Sequence, residues 1–451
     1  MATNIEKLII SHNKDAQNRK MVAFYDRKST MEKMGIARSE TAHSAFLANL
    51  LKSDNGLGLE ESAIMWLLHI LIEREDNATA YRTSPIPTDV KAAVLSQTLK
   101  YDIEEITTEK VIDDVAHSYF ATQSQYNNKR CDDRLDIYIK LEVNGLSVKY
   151  LEIVIENKVL QDENGPKSKN SSGYDSLFQT QRYYTACSYN KSSVTAQLFV
   201  FLTPDEVEEE TKAKDKHFIQ ISYQDVLDTI IIPQLDNNML TSNERQELEN
   251  YVDALNLPTL DIQAKKRIVM AMTEEARTDK QTYLKKNKEL IINVIKAKEK
   301  EASNSSSLTQ DEQILVSFAD KRKNLFAAHG MDFDTFDKSK KYFVFITDGA
   351  TYRIAHLCTA DVAVNFAKLY YKYNSGSSIG QLNNDFANVK PNIFSVCNVQ
   401  KNNTNSALYV KIANGVYFPK NIWANNYFNK LLTMIDITNN VSKDFKYEVI
   451  K

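Results

Sequence analysis

Three ionisable side chains between residues 136 and 158 have the types and spacing of a divalent-metal site. Asp136 lies in the segment R-L-D-I-Y-I, and Glu156 and Lys158 lie in the segment I-V-I-E-N-K. Carboxylate oxygens are preferred ligands of hard cations such as Mg²⁺, and a bound cation can activate water and polarise a phosphoryl oxygen. A neighbouring ammonium group can stabilise the developing charge. The alternative is a solvated carboxylate beside a Glu–Lys pair, because such triplets are common on exposed sheet faces.

A β-hairpin is predicted to carry these groups. Apolar side chains alternate along residues 135–143, which is the period expected of a half-buried strand. The dipeptide Asn144-Gly145 is a turn signal, and residues 148–158 resume the alternation. The pattern therefore predicts two adjacent antiparallel strands.

The length of the hairpin loop decides whether the two carboxylates share a face, because a one-residue change of register turns a strand over. A two-residue loop separates Asp136 from Glu156. A three-residue loop pairs Asp136 with Val154 and places it on the face of Glu156 and Lys158. It also aligns apolar residues on the buried face, so the sequence favours a loop of odd length.

Gln179 and Tyr183 add a polar pair to this set. They lie four residues apart in a segment that reads as a helix, so their side chains share a face. The ordered set of Asp136, I-V-I-E-N-K and Q-x-x-x-Y resembles the PD-(D/E)XK nuclease superfamily over about residues 36–225.

The resemblance implies metal ligands and a catalytic lysine. Asp136 and Glu156 are expected to bind Mg²⁺ or Mn²⁺ together with the backbone carbonyl of Asn157. Lys158 is expected to position or activate the attacking water. Leu135 stands where the motif has proline, a replacement that the family tolerates.

The helical segments supply four further candidates by the same resemblance. Glu40, in the motif E-x-x-H-S, is expected to reach the metal through water, with His43 beside it. Gln179 and Tyr183 are expected to support the site or to contact the substrate backbone. By spacing alone, a glutamate such as Glu40, after the N-cap candidate Ser39, is more often a partner of its helix N-terminus, and a histidine such as His43 is more often a packing residue.

The implied fold is α/β, with a restriction-endonuclease-like mixed sheet flanked by helices. The implied activity is hydrolysis of phosphodiester bonds, with DNA as the expected substrate and a restriction or phage-defence role. Two alternatives stay open. One is a non-catalytic nucleic-acid-binding or scaffold protein with a nuclease fold. The other is a nuclease gated by a ligand or partner that binds the C-terminal domain.

At 451 residues the chain is expected to form more than one domain. The pattern places a nuclease-like domain with N-terminal helices at residues 1–260 and a helical connector at 261–308, with continuous helix across 264–300. A C-terminal α+β domain, a candidate for nucleic-acid or partner recognition, follows at 309–451. Residues 110–126 are read as the first strand of the sheet.

Composition describes an ordinary globular chain with an uneven charge. Residues 1–260 hold 28 Lys and Arg against 40 Asp and Glu, and residues 261–451 hold 28 against 19. The basic C-terminal part is the better candidate for a polyanion contact. The four cysteines are scattered and no long apolar run is present. The sequence thus predicts a cytoplasmic protein without a membrane segment, with reduced thiols, and with a protein partner or homodimer as a further expectation.

Overall fold

Most of the chain is described by the computed structural model. The described residues are 3–57, 59, 62–81, 84–123, 126, 131–159, 163–167, 173–189, 191–204, 212–237, 239–262, 265–303, 307–334, 340–374, 377–390, 393–395, 409–413, 415–420, 422–423 and 425–450.

Helices and strands alternate along the chain. The α-helices are α1 Asn4–Lys14, α2 Ala16–Asp26, α3 Thr30–Lys33, α4 Glu40–Leu50, α5 Ser62–Arg74, α6 Thr88–Leu95, α7 Ile112–Phe120, α8 Gln179–Cys187, α9 Tyr223–Val226, α10 Ile232–Leu235, α11 Ser242–Asn256, α12 Glu274–Lys286, α13 Lys288–Ala302, α14 Gln310–Asp320, α15 Lys323–Ala328, α16 Thr359–Tyr373, α17 Ile379–Asp385 and α18 Asn425–Val441. The strands are β1 Tyr101–Val111, β2 Arg134–Val143, β3 Tyr150–Asn157, β4 Thr195–Thr203, β5 Phe218–Ser222, β6 Thr259–Asp261, β7 Lys266–Ile268, β8 Tyr342–Asp348, β9 Thr351–Leu357, β10 Tyr409–Ala413, β11 Val416–Pro419 and β12 Phe445–Ile450.

The chain forms two compact units. One, the sheet unit, is Lys28–Glu274. The other, the composite unit, joins Met1–Arg27 to Glu275–Lys451. These limits differ from the predicted ones at 260 and 308, and the N-terminal helices belong with the C-terminal part of the chain. A reciprocal amide pair contributes to this association, since the side chains of Asn18 and Asn287 hydrogen-bond each other at 3.1 and 3.0 Å.

Five strands form the central sheet of the sheet unit in the order β1-β2-β3-β4-β5. The first three strands are antiparallel, and β4 and β5 run parallel to β3. Helices cover both faces. A large apolar core that includes α5, α11 and the inner residues of β2 lies on one side. On the other side α7 and α8 pack over Tyr138, Val154 and Phe199. This confirms the α/β fold with a mixed sheet flanked by helices.

The hairpin register differs from the predicted one by two residues. Val154 lies opposite Tyr138 instead of Asp136, and the amide of Val143 donates to the carbonyl of Lys149, so the connection has five residues. A shift by an even number leaves every side chain on its predicted face. Asp136 therefore moves from a position beside Glu156 to one directly opposite it.

Two predicted elements are wrong. Residues 112–120 form helix α7 instead of a strand, because Ile112, Ala116, Tyr119 and Phe120 are buried at helical spacing. The predicted continuous helix over 264–300 is divided. Lys266–Ile268 form strand β7 of the β6–β7 hairpin, and Asn287 interrupts the remainder between α12 and α13.

The composite unit combines helices with a three-stranded sheet in the order β12-β8-β9. Helices α16 and α18 pack on this sheet through a core that contains Phe366, Leu431 and Tyr447. The pair β10-β11 adds a second, two-stranded sheet. Helices and antiparallel strands in one unit agree with the α+β class predicted for the C-terminal domain. No helix among the described residues has both the length and the apolar character needed to span a membrane.

Candidate active site

The ends of β2 and β3 bring together the residues predicted to bind metal. Ile137 pairs with Ile155, so Asp136 stands opposite Glu156 at the next position of the ladder. The backbone amide of Asn157 donates to Oδ2 of Asp136 at 2.7 Å. Two carboxylates and the Asn157 peptide unit are thus fixed on adjacent strands, which hold them more rigidly than loops would.

Lys158 lies between two carboxylates just beyond the end of β3. Its Nζ is 2.7 Å from Oε1 of Glu156 and 3.3 Å from Oε2 of Glu40. The other Glu40 oxygen accepts from the backbone amide of Val159 at 3.3 Å. Glu40 therefore lies in the same cluster as the E-x-K residues, although it comes from a different helix.

Helix α4 delivers Glu40 from its first turn. Ser39 is the N-cap, as the sequence predicts, and its hydroxyl accepts from the amide of Ala42. The side-chain amide of Asn157 donates to the Glu40 carbonyl at 3.2 Å and to the Ser44 hydroxyl at 3.0 Å. These contacts fasten the start of α4 to the end of β3.

Helix α8 places Gln179 and Tyr183 on the sheet face that carries Asp136 and Glu156. Nε2 of Gln179 donates to the Tyr183 hydroxyl at 2.8 Å, and that hydroxyl donates to the carbonyl of Arg134. Tyr183 thereby anchors α8 to β2 two residues before Asp136. The helical face predicted for the pair exists, although α8 begins at Gln179 itself.

Oε2 of Glu156, whose side chain is fully buried, and Oε1 of Gln179 have no hydrogen-bond partner among the described residues. The other Glu156 oxygen, Oε1, is compensated by the ion pair with Lys158. An unsatisfied buried oxygen is costly. A hard divalent cation takes such oxygen ligands, so the residues present fit a bound Mg²⁺ or Mn²⁺.

The electrostatics of the cluster reflect buried negative charge. Burial raises the pKa of Glu156 well above its ordinary value, and the charge of Asp136 raises it further. Burial likewise raises the pKa of Asp136 to about 6. A divalent cation would replace protons at such a site, because metal ligation requires deprotonated carboxylates.

Lys158 keeps its proton in this setting. Burial alone would lower its pKa, but the carboxylates of Glu156 and Glu40 outweigh burial and the pKa is raised. The residue is therefore a fixed cation within the cluster.

His43 lies in the interior beneath the cluster. Its ring nitrogens are 3.1 Å from the Tyr251 hydroxyl and 3.0 Å from the carbonyl of Ala37, and burial lowers its pKa to about 4. Because both ring nitrogens are occupied within the protein core, the structure favours the packing alternative for His43.

Sequence reasoning missed the supporting residues Tyr223, Arg38 and the Asn157 side chain. The Tyr223 hydroxyl donates to Oδ1 of Asn157 at 2.7 Å. The buried guanidinium of Arg38 donates to four backbone carbonyls, including Ala254 at 3.0 Å and Leu257 at 2.9 Å. The position of Arg38 directly before the N-cap of α4 was a visible signal, whereas Tyr223 gave none.

A second acidic group lies apart from these residues. Cys131, Asp132 and Asp133 bring ligand atoms within 4.8 Å of one another. Asp133 is, however, already paired with Lys167 at 3.1 Å and with Arg182 at 2.9 Å. Lys167 and Arg182 neutralise the charge of Asp133, so we assign this acidic group a structural role.

The five-stranded mixed sheet, with helices on both faces and an acidic cluster at the ends of β2 and β3, is consistent with a restriction-endonuclease-like fold. The model of the PD-(D/E)XK nuclease superfamily matches residues 30–320, and the chain belongs to that superfamily. This matched region is longer than the range of about residues 36–225 over which the sequence motifs resemble the superfamily. No curated protein and no solved structure matches the chain.

Proposed function

We propose that this protein is a divalent-metal-dependent nuclease that hydrolyses phosphodiester bonds in DNA. The observation that carries the proposal is the fully buried Oε2 of Glu156, which has no hydrogen-bond partner in the described part of the chain and lies beside Lys158 and in register with Asp136. Membership of a nuclease superfamily supports a nucleic-acid substrate.

Asp136, Glu156 and the Asn157 carbonyl would hold Mg²⁺ or Mn²⁺. When bound, the cation supplies Lewis-acid polarisation of the phosphate and a more acidic water. Asp136 is oriented for this role by the Asn157 amide at 2.7 Å. That bond leaves its other oxygen available.

Lys158 acts as a charged group in this proposal. Its Nζ lies 2.7 Å from Oε1 of Glu156, where an ammonium group would position or activate the attacking water and stabilise charge on the phosphate. Oε2 of Glu40 is a second carboxylate partner of the ammonium group, at 3.3 Å.

Gln179 and Tyr183 support the ligands from helix α8. Tyr183 fixes the β2 backbone at Arg134, and the buried Oε1 of Gln179 has no hydrogen-bond partner among the described residues. The basic excess of residues 261–451 supports a polyanionic substrate, because it would attract phosphate.

Cleavage assays test the proposal directly. Plasmid DNA, linear DNA and RNA are incubated with the protein in Mg²⁺, Mn²⁺ or EDTA. We expect cleavage of DNA that EDTA abolishes, and a loss of at least about 100-fold in Glu156→Ala and Lys158→Ala.

Glu104→Ala is the matched control, because Glu104 is an exposed acid on β1 that pairs with Lys140 at 2.5 Å. It should cut like the wild type. DNA binding without cleavage under every condition would favour the non-catalytic alternative, and equal cleavage by Glu156→Ala would refute the site.

The proposed biological role is restriction-like or phage-defensive. Cells that express the wild type should reduce phage plating relative to cells that express Glu156→Ala at equal protein levels. Equal plating on the two strains would contradict this role without affecting the nuclease assignment.

A further inference from the structure

Glu109 has a backbone conformation that is unusual for its position. Three non-glycine residues among those described have a positive φ: Gln97 at 56°, Lys265 at 50° and Glu109 at 53°. Gln97 follows the end of helix α6, and Lys265 lies in the β6–β7 turn, where left-handed residues are ordinary. Glu109 alone lies inside a strand, β1.

The strand keeps its register on both sides of Glu109. Thr108 pairs with Ile137 and Lys110 pairs with Leu135, so Glu109 stands opposite Asp136. The Glu109 carbonyl accepts from the guanidinium of Arg134 at 3.3 Å. The left-handed residue is thus held next to the acidic cluster by pairing on either side.

A left-handed glutamate is strained, and such strain concentrates at functional sites. Glycine and asparagine adopt this conformation more readily. The position nevertheless carries a half-buried carboxylate that forms no ion pair among the described residues. Backbone strain at a glutamate is expected where the carboxylate has a function that glycine or asparagine could not supply.

The acidic cluster beside Glu109 has an excess of negative charge that a cation would balance. Asp136, Glu156, Glu40 and Glu109 supply four carboxylates, and Lys158 supplies one ammonium group. The negative field of Glu109 reaches Asp136, where it adds to the effect of burial. The fully buried Oε2 of Glu156, for which the described residues offer no hydrogen-bond donor, points independently to a cation in the same cluster.

We propose that Glu109 is a fourth acidic residue of the metal site. It acts on a divalent cation held by Asp136 and Glu156 by accepting a hydrogen bond from a water bound to that cation. The strained backbone of β1 is retained because it keeps this carboxylate beside Asp136. The inference rests on the proposed function, since it needs a cation at the site.

Mn²⁺ affinity, measured by calorimetry and by the electron paramagnetic resonance of free Mn²⁺, tests the role without substrate. Glu109→Gln is expected to weaken Mn²⁺ binding about tenfold, the effect typical of groups that orient metal-bound water. Glu104→Gln, which removes an exposed acid from the same strand, is expected to bind as the wild type does.

Thermal unfolding without metal tests the strain. Glu109→Gly and Glu109→Gln both remove the charge, but only glycine relieves the left-handed backbone. We expect the melting temperature of Glu109→Gly to exceed that of Glu109→Gln by about 3 °C, while both variants bind Mn²⁺ weakly.

The outcomes separate the inference from the proposed function. Wild-type Mn²⁺ affinity in Glu109→Gln overturns the role of Glu109, and equal melting temperatures for the glycine and glutamine variants overturn the strain argument. A wild type that binds Mn²⁺ no better than Glu156→Ala refutes the metal site itself.

Discussion

Asn157 joins three parts of the sheet unit through one buried side chain. Its amide donates to the Glu40 carbonyl and to Ser44, its oxygen accepts from Tyr223, and its backbone amide reaches Asp136. The middle position of an E-x-K motif is therefore a structural junction here. The side chain holds the first turn of α4 against β3, which sets where the Glu40 carboxylate can reach.

Asn157→Asp is expected to lower the free energy of unfolding by about 3 kcal/mol. The new carboxylate cannot donate to Glu40 or Ser44, and it adds a buried charge. Urea unfolding measures the loss. Tyr223→Phe is the control, since it removes one hydrogen bond and should cost about 1 kcal/mol. Equal losses in the two variants would contradict the junction.

The buried amino group of Lys191 is expected to make the stability of the protein depend on pH. Its Nζ is buried without a hydrogen-bond partner among the described residues, and burial lowers its pKa from 10.5 to about 8. Between these values the unfolded chain binds the proton and the folded chain does not, so stability rises as the pH increases from about 8 to 10.5.

Lys191→Met should therefore stabilise the protein at pH 7, by on the order of 2 kcal/mol, and remove the rise above pH 8. Urea unfolding at pH 7, 9 and 10 gives both results. A variant that is less stable than the wild type at pH 7 would show that the ammonium group has a favourable partner.

At the scale of elements, Glu163 fixes the start of helix α8. Its buried carboxylate accepts from the amide of Thr180 at 2.5 Å, from the Thr180 hydroxyl at 2.7 Å and from the amide of Lys214 at 2.7 Å. A carboxylate at a helix N-terminus satisfies free amides and complements the helix dipole. Glu163 thus helps to orient Gln179 and Tyr183.

Glu163→Gln is expected to lower the free energy of unfolding by about 2 kcal/mol, because an amide accepts more weakly and adds donors to a buried site. Glu244→Gln, at the exposed capping box of α11, should cost much less. Chemical denaturation compares the two, and a larger loss for the exposed cap would contradict the assignment.

The hairpin shows how far sequence could predict these elements. The alternation of apolar and polar residues predicts that Asp136 and Glu156 lie on one face of the sheet, because successive side chains of a strand point to opposite faces. The exact register depended on a five-residue loop held by the Val143–Lys149 hydrogen bond, which the Asn-Gly signal did not reveal. Helix α7 was missed because alternation at Val115 and Tyr119 also fits helical spacing.

Contacts between distant segments could not be predicted at all. The bonds from Asn157 to Ser44 and Tyr223 join three elements that are remote in sequence. The left-handed backbone of Glu109 is likewise set by pairing with β2. Neither leaves a local pattern, because tertiary packing determines both.

At the scale of the whole molecule, the core of the composite unit contains residues from the N-terminal helices and residues from beyond position 274. His12 lies 3.3 Å from the Tyr283 hydroxyl and packs edge-to-face on Phe318, and the Asn18–Asn287 pair is buried beside it. The N-terminal helices are therefore part of the composite unit's core.

Asn287→Ala is expected to destabilise the composite unit by about 2 kcal/mol, because it leaves the Asn18 amide buried without its partner. Hydrogen exchange should speed up in α1, α2 and α12–α15 and stay unchanged in β1–β5. Exposed Asn429→Ala is the control. Uniform acceleration across both units would show that they unfold as one.

The sheet unit is, in effect, an insertion between two parts of another fold. The ribosome completes residues 28–274 while helices α1 and α2 still await the later helices that pack on them, among them α13, α14 and α15. A recombinant fragment that starts at residue 1 and stops near 274 would therefore expose the helix faces that are buried in the composite unit, including Met21 and Tyr25. Fragments cut at 28 and 274 avoid that liability, and we expect them to be the more soluble choice.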